Sequence, residues 1–228
     1  MMSTQTSAGS SASSAKDEIL ARIRHALVDV PDASVEQDTP IAWEYGRATR
    51  EGNVLEVFID RVVDYKAELV RCAPEEVPAK VVAGLQAHGV RSVVLPAGID
   101  GSWREAIEAA GIEVRGDEPR LSRAQLDETD GVVTACAVGS AETGTIMLDH
   151  GPDQGRRALS LVPDVHVCVI RADQVVSDVP EAVARTAAAL RAGQPSTWIS
   201  GGSATSDIEL SRVEGVHGPR TLHVVLAE

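Results

Sequence analysis

The hydrophobic positions of this chain follow helical spacing near the start and shorter, strand-like runs afterwards. Ile19, Leu20, Ile23 and Leu27 recur at the three-to-four spacing of one helix face, and Ser14-Ala15-Lys16-Asp17 ahead of them offers a cap. Val30-Pro31-Asp32 ends that helix. Residues 31–50 carry Pro, Asp and Thr around a Trp43/Tyr45 island and read as an extended arm. A second stripe of Val54, Val57, Phe58, Val62, Tyr65 and Leu69 predicts a helix from Asn53 to Arg71, with Asn53 and Glu56 as its capping pair.

Beyond Pro78 the two patterns alternate. Pro78–His88 reads as a helix stopped by Gly89, and Ser92–Leu95 as a buried strand. Trp103–Ala110 is a helix stopped by Gly111, with Ile112–Val114 as the strand behind it. Gly131–Ala137 and Thr143–Leu148 are β-rich and closely spaced, which predicts hairpin neighbours. Val165–Ile170 is almost continuously apolar, as a strand covered on both faces is. Asp178–Arg191 is a helix capped by Asp178, with Glu181 three residues on, and stopped by Gly193; Trp198-Ile199 and Leu222–Leu226 are the last strands. The class is therefore α/β, a three-layer α/β/α domain with a mixed, mostly parallel sheet. The chain divides into a leader over 1–15, disordered by composition, a helix and arm over 16–52, and the α/β domain over 53–228.

Composition narrows the function classes. Aromatics are 3% of the residues, so aliphatic side chains must fill the core. The formal net charge of −13, from 34 acidic and 21 basic residues, argues against nucleic acid or an anionic membrane as partner, since each requires a basic face. The leader has no apolar segment typical of a signal peptide, and no run approaches the ~18 apolar residues that span a bilayer, so a cytoplasmic location is expected. Cys72, Cys136 and Cys168 are far apart in sequence, without C-x-x-C pairing, and predict no intrinsic iron–sulfur cluster.

Four segments carry candidate chemistry. Gly139–Thr145 places Glu142 beside Thr143, Gly144 and Thr145 on a hairpin crest, where the carboxylate can act as base, nucleophile or acceptor, or simply be a solvated turn residue. Ser200, Gly201, Gly202 and Ser203 follow an apparent strand, where a Gly-containing loop lets backbone approach a ligand. With Thr205, Ser206, Asp207 and Glu209 this loop reads either as an anion cradle at a helix start or as a plain helix cap; it matches neither the P-loop nor the dinucleotide fingerprint. His217-Gly218-Pro219 marks a turn before the last strand, with His217 at its edge. Asp149–Asp153 lacks convergent metal-ligand spacing, so no metal is expected there; Arg156 and Arg157 just beyond it suit a carboxylate or phosphate, or a solvated helix start. His25, His88, His166 and His223 are isolated and read as structural.

Four segments taken together resemble the lactate-utilisation (LUD) domain family, and within it the C-type proteins. They are A-E-T-G-T-I-M-L (141–148), R-A-L-S-L-V-P-D-V-H-V (157–167), I-S-G-G-S-A-T-S-D-I-E (199–209) and G-V-H-G-P-R-T-L-H-V-V-L (215–226). Gly202 departs from the proline of the family's S-G-P-S loop. The resemblance implies a fold like the NagB/RpiA/CoA-transferase group and a role in oxidising L-lactate to pyruvate. It also implies partner proteins that carry the cysteine-rich and iron–sulfur segments this chain lacks. On that basis the chain is expected to be a non-redox subunit that binds a small carboxylate- or phosphate-bearing ligand or organises the assembly. The alternatives are a stand-alone CoA-transferase-like enzyme using Glu142, and a small-molecule sensor.

Overall fold

The computed structural model of the protein describes residues 14–30, 52–206, 212–215 and 217–228; the arm with Trp43 and Tyr45, and Asp207, lie outside them. The chain forms two compact units, residues 1–44 and 45–228. In the first, helix α1 (Ala15–Ala26) starts with a capping box: the Asp17 N–H donates to Ser14 Oγ and the Ser14 N–H to Asp17 Oδ2. Its predicted stripe exists, but Ile19, Ile23 and Leu27 are all exposed.

In the second unit, Asn53 caps helix α2 (Val54–Asp64) by accepting the Glu56 N–H. The helix stops well short of the predicted Arg71. Lys66 adopts a φ of 62°, and Glu68–Cys72 is strand β1. Leu69 had prolonged the helical stripe. What overrides it is parallel pairing of β1 with β12 (Thr221–Ala227), a partner too distant in sequence for any local pattern to reveal.

The remaining strands of the main sheet are β2 (Ser92–Leu95), β3 (Glu113–Gly116), β4 (Gly131–Thr134) and β7 (Val165–Arg171). They form six strands in the order β1-β12-β7-β4-β2-β3, every neighbouring pair parallel. Helices α3 (Val77–Ala87) and α4 (Gly101–Ala109) cover one face; Val81, Leu85 and Ile107 pack there on Val93, Val167 and Val225. A short helix, α5 (Arg123–Asp127), links β3 to β4.

A separate four-stranded sheet ordered β8-β5-β6-β9 is mixed, with β5–β6 and β6–β9 antiparallel and β5–β8 parallel. Its strands are β5 (Val138–Ser140), β6 (Thr145–Leu148), β8 (Val175–Val176) and β9 (Thr197–Ile199). The predicted hairpin is thus between β5 and β6, while Gly131–Thr134 belongs to the parallel sheet. One near-continuous β-rich run had concealed a crossing between sheets at Ala135–Ala137. There the Ala135 N–H donates to the Asp153 carbonyl and the Ala137 N–H to that of Met147.

This second sheet and α2 cover the other face of the main sheet. Side-chain alternation along β6 shows how: Ile146 and Leu148 join Phe58, Ile170 and Leu226, whereas Met147 faces the opposite side with Val138 and Ala182. Ala182 belongs to α6 (Val179–Arg191), capped as predicted by Asp178, which accepts the Glu181 N–H. Each large aliphatic side chain withdrawn from water in these clusters contributes about 1.5–3 kcal/mol.

Two further strands lie where a helical segment was expected. β10 (Ala204–Ser206) pairs antiparallel with β11 (Arg212–Glu214), so the loop at 200–203 opens a β-hairpin rather than capping a helix. Polar residues with no clear period had left the choice to turn chemistry alone. Among the described residues no helix is long and apolar enough to cross a membrane.

Candidate functional site

The chain leaves β9 at Ile199 and turns through Ser200–Ser203, with Gly201 at a φ of 78°. A side chain at Gly202 would strike the Arg220 carbonyl, so this loop lies directly against the turn that precedes β12. Hydrogen bonds lace the two together. The Ser203 N–H donates to the Pro219 carbonyl (2.8 Å), the Gly215 N–H to that of Ser203 (2.9 Å), and the His217 N–H to Ser203 Oγ (3.2 Å). Between loop and turn is a cavity of about 260 Å³, lined by Ser200–Ala204, His217–Pro219, Ser160, Leu161, His166, Thr197 and Leu222, among others.

Five predicted residues therefore meet here: Ser200, Gly201, Gly202, Ser203 and His217. Their position differs from the expected one. The loop does follow the carboxyl end of a strand, but β9 belongs to the small sheet. The cavity walls include His166 and Leu222, near the amino ends of β7 and β12 in the parallel sheet.

The A-E-T-G-T hairpin reaches the same place through hydroxyls. Ser200 Oγ lies 2.8 Å from Thr145 Oγ1, which lies 2.8 Å from Thr143 Oγ1, which in turn donates to Ser140 Oγ at 3.1 Å. Each hydroxyl has one proton to give. With Thr143 donating to Ser140, the chain runs Ser200 to Thr145 to Thr143 to Ser140, leaving the Ser200 oxygen open as an acceptor on the cavity side. Ser203 Oγ accepts the His217 N–H and keeps its own proton to donate. Gly144, at a φ of 57°, packs against the Arg61 backbone and turns the hairpin. Glu142 is exposed on that turn, with its N–H bonded to the Ser177 carbonyl, and is not among the residues lining the cavity.

Beneath the cavity is a buried polar group that sequence reasoning had read as structural. His166 Nε2 lies 2.8 Å from Thr134 Oγ1, whose hydroxyl points to Cys168 Sγ at 3.8 Å. If Thr134 gives its proton to the sulfur, Nε2 of His166 is the donor and Nδ1 is the remaining polar atom of the ring. Cys136 and Cys168 are neighbouring buried thiols: contact with Cys168 and burial push Cys136 upward, and Cys168 is the more acidic of the pair. His166, Cys168 and Ile170 share one face of β7, but the run is apolar throughout, so its pattern does not set the three apart in sequence.

Arg156 and Arg157 lie at a different place, a cavity of about 450 Å³ shared with Pro96, Ala97, Asp117, Arg120 and His150, beyond the carboxyl ends of β2 and β3. Arg156 is held there by Asp117: Nε donates to Asp117 Oδ2 (2.6 Å), and Nη2 to Asp117 Oδ1 (2.9 Å) and the Leu121 carbonyl (2.7 Å). Arg157 is exposed. His150 bridges the Gly155 carbonyl and Thr197 Oγ1, both at 2.8 Å. Thr205 is exposed on β10, which also holds Ser206. His88 and His223, expected to be isolated, both meet Glu68.

Comparisons with known proteins agree with this architecture. The family model described as the LUD domain matches residues 55–227. Lactate utilization protein C of Deinococcus radiodurans is 48% identical over 95% of this chain and 97% of its own. A protein of the same description from Bacillus pumilus is 24% identical over 90% of this chain and 92% of its own. The crystal structure of a DUF162 family protein from Deinococcus radiodurans superposes with a TM-score of 0.66 at 46% identity, covering 77% of this chain and 96% of that one. With the fold, the four motifs and these matches in agreement, the chain belongs to the LUD domain family.

Proposed function

We propose that this protein serves lactate utilisation as a subunit that holds a small hydroxy-carboxylate while L-lactate is oxidised to pyruvate. The name of the Deinococcus radiodurans relative, matched over nearly the whole of both chains, supports the pathway. The observation that carries the chemical role is the hydroxyl chain ending at the cavity. Ser200 Oγ is left as an acceptor for a substrate hydroxyl, while Ser203 Oγ–H is a donor for a carboxylate. His166 adds a buried imidazole to the cavity wall.

Oxidation of a secondary alcohol to a ketone releases two electrons and two protons. Cys72 lies in one core cluster and Cys136 and Cys168 in the other, all buried, so these thiols do not converge as a cluster-ligating set. The electrons would therefore pass to iron–sulfur clusters on cysteine-rich partner proteins. The exposed position of Glu142 favours this reading over a CoA-transferase-like mechanism built on that carboxylate.

Calorimetric titration with L-lactate, with pyruvate and with acetate tests the binding role. Lactate should bind more tightly than acetate, and Ser200→Ala with Ser203→Ala should abolish that preference. Co-purified neighbouring gene products, assayed for lactate oxidation with and without this chain, test the pathway. Equal binding of lactate and acetate, or oxidation indifferent to the chain, would sink the corresponding half of the proposal.

A further inference from the structure

We propose that Glu68, His88 and His223 form a binding site for a divalent transition-metal ion of the Zn²⁺ type. The residues come from three elements. Glu68 opens β1, His223 is its direct partner across the parallel pairing with β12, and His88 caps the carboxyl end of α3, which lies over this face of the sheet. His223 Nδ1 lies 3.0 Å and His88 Nε2 3.2 Å from the same oxygen, Glu68 Oε2. One ligand atom from each residue lies within 4.8 Å of the others. Two imidazoles and a carboxylate are a usual ligand set for Zn²⁺, and bonds of about 2.0–2.1 Å in a tetrahedron hold ligand atoms about 3.4 Å apart. The side chains thus need only a small outward movement to admit an ion.

The surroundings are shaped to this cluster. Gly84 lies one helical turn before His88, and a Cβ there would come within 2.8 Å of His223 Cδ2 and 2.9 Å of Nε2. The helix therefore has a gap where the ring of His223 lies, and the two imidazoles meet edge to face at 5.8 Å. His223 Nε2 is buried without a partner among the described residues. An imidazole kept in the core with one nitrogen unsatisfied is a costly packing residue. The side chain of Glu68 is 56% exposed, against 16% for His88 and 11% for His223, which gives an ion a route in and leaves coordination positions open to water. None of the three is among the residues lining the cavity between the 200–203 loop and the His217 turn, so this site is independent of the lactate reading.

Zn²⁺ titration of the full chain after chelator treatment tests the proposal. One ion per chain should bind in the micromolar range or tighter and raise the Tm. Co²⁺ in its place should give visible d–d bands without a thiolate charge-transfer band. His88→Ala, at a helix end, leaves the sheet intact and should weaken Zn²⁺ binding by about tenfold or more, with loss of the Tm shift. Glu68→Gln should do the same while keeping a hydrogen-bonding amide. No saturable Zn²⁺ binding, variants that bind as the parent does, or a Co²⁺ spectrum showing thiolate ligation would each overturn it; circular dichroism of the variants identifies any that fail to fold, and the parent titration then decides.

Discussion

Thr145→Val removes a hydroxyl from the middle of the chain that joins the A-E-T-G-T hairpin to the cavity loop, while nearly preserving side-chain shape. Thr145 is buried, and its Oγ1 pairs with Thr143 Oγ1 and Ser200 Oγ, both at 2.8 Å. Two bonds at a net of about 0.5–1.5 kcal/mol each set a range of roughly 1–3 kcal/mol. The partners lower that figure. Ser200 is exposed and can turn to water, and Thr143 keeps its contact with Ser140. The expected loss is therefore about 1–2 kcal/mol, read in urea unfolding as a lower midpoint at unchanged m. Ser200→Ala alone should cost less, and the two substitutions together should cost less than their sum, with a coupling of about 0.5–1 kcal/mol. A Thr145→Val protein within about 0.3 kcal/mol of the parent, or strict additivity with Ser200→Ala, would refute the relay.

Two other expectations concern the core and the acid limb. At Gly139 an added Cβ would stand 2.7 Å from Ile170 Cδ1 and 3.0 Å from the Phe58 ring, so Gly139→Ala should destabilise by about 1–3 kcal/mol. Ile170→Val deletes that Cδ1 and should recover part of the loss in thermal unfolding; a double variant less stable than Gly139→Ala would contradict the packing. Burial opposes ionisation of Asp117, but bonds from Arg156 and the Leu121 N–H outweigh it and hold the carboxyl below its ordinary 3.8. Its folded-state pKa is thus depressed. The contribution is fully present above the unfolded value and is lost as pH falls through the folded one. Asp117→Asn should lower stability at neutral pH and make stability less pH-dependent below about pH 4; parallel acid limbs for variant and parent would count against the pairing.

What could be read from the sequence follows the range of the interactions involved. Caps and stops are local, and Asn53, Asp178, Gly89, Gly111 and Gly193 do what their residue types predict. The helix predicted through Arg71 failed because β1 exists only through β12, and the hairpin was shifted because the run from Gly131 crosses between two sheets. At the site, small and hydroxyl residues at 200–203 and 143–145 were recognisable as a group, since turns and close approaches impose their own chemistry. His166 was not, because an imidazole within an apolar strand looks the same in sequence whether it fills a core or lines a cavity. The meeting of Glu68, His88 and His223 was equally hidden, being set by strand register and by a glycine on the helix above.

The strand order also has a kinetic consequence. β1 touches the parallel sheet only through β12, and the in-register pair Glu68 and His223 is separated by 155 positions in the chain. Closing so long a loop is slow and gains nothing until the partner strand is in place. The expected order of folding therefore has β7, β4, β2 and β3 ordering before Glu68–Cys72, whose ladder groups pair only once β12 is in place. Refolding followed by pulsed hydrogen exchange should show the amides of Val70 and Cys72 gaining protection with those of β12, after those of β2 and β4.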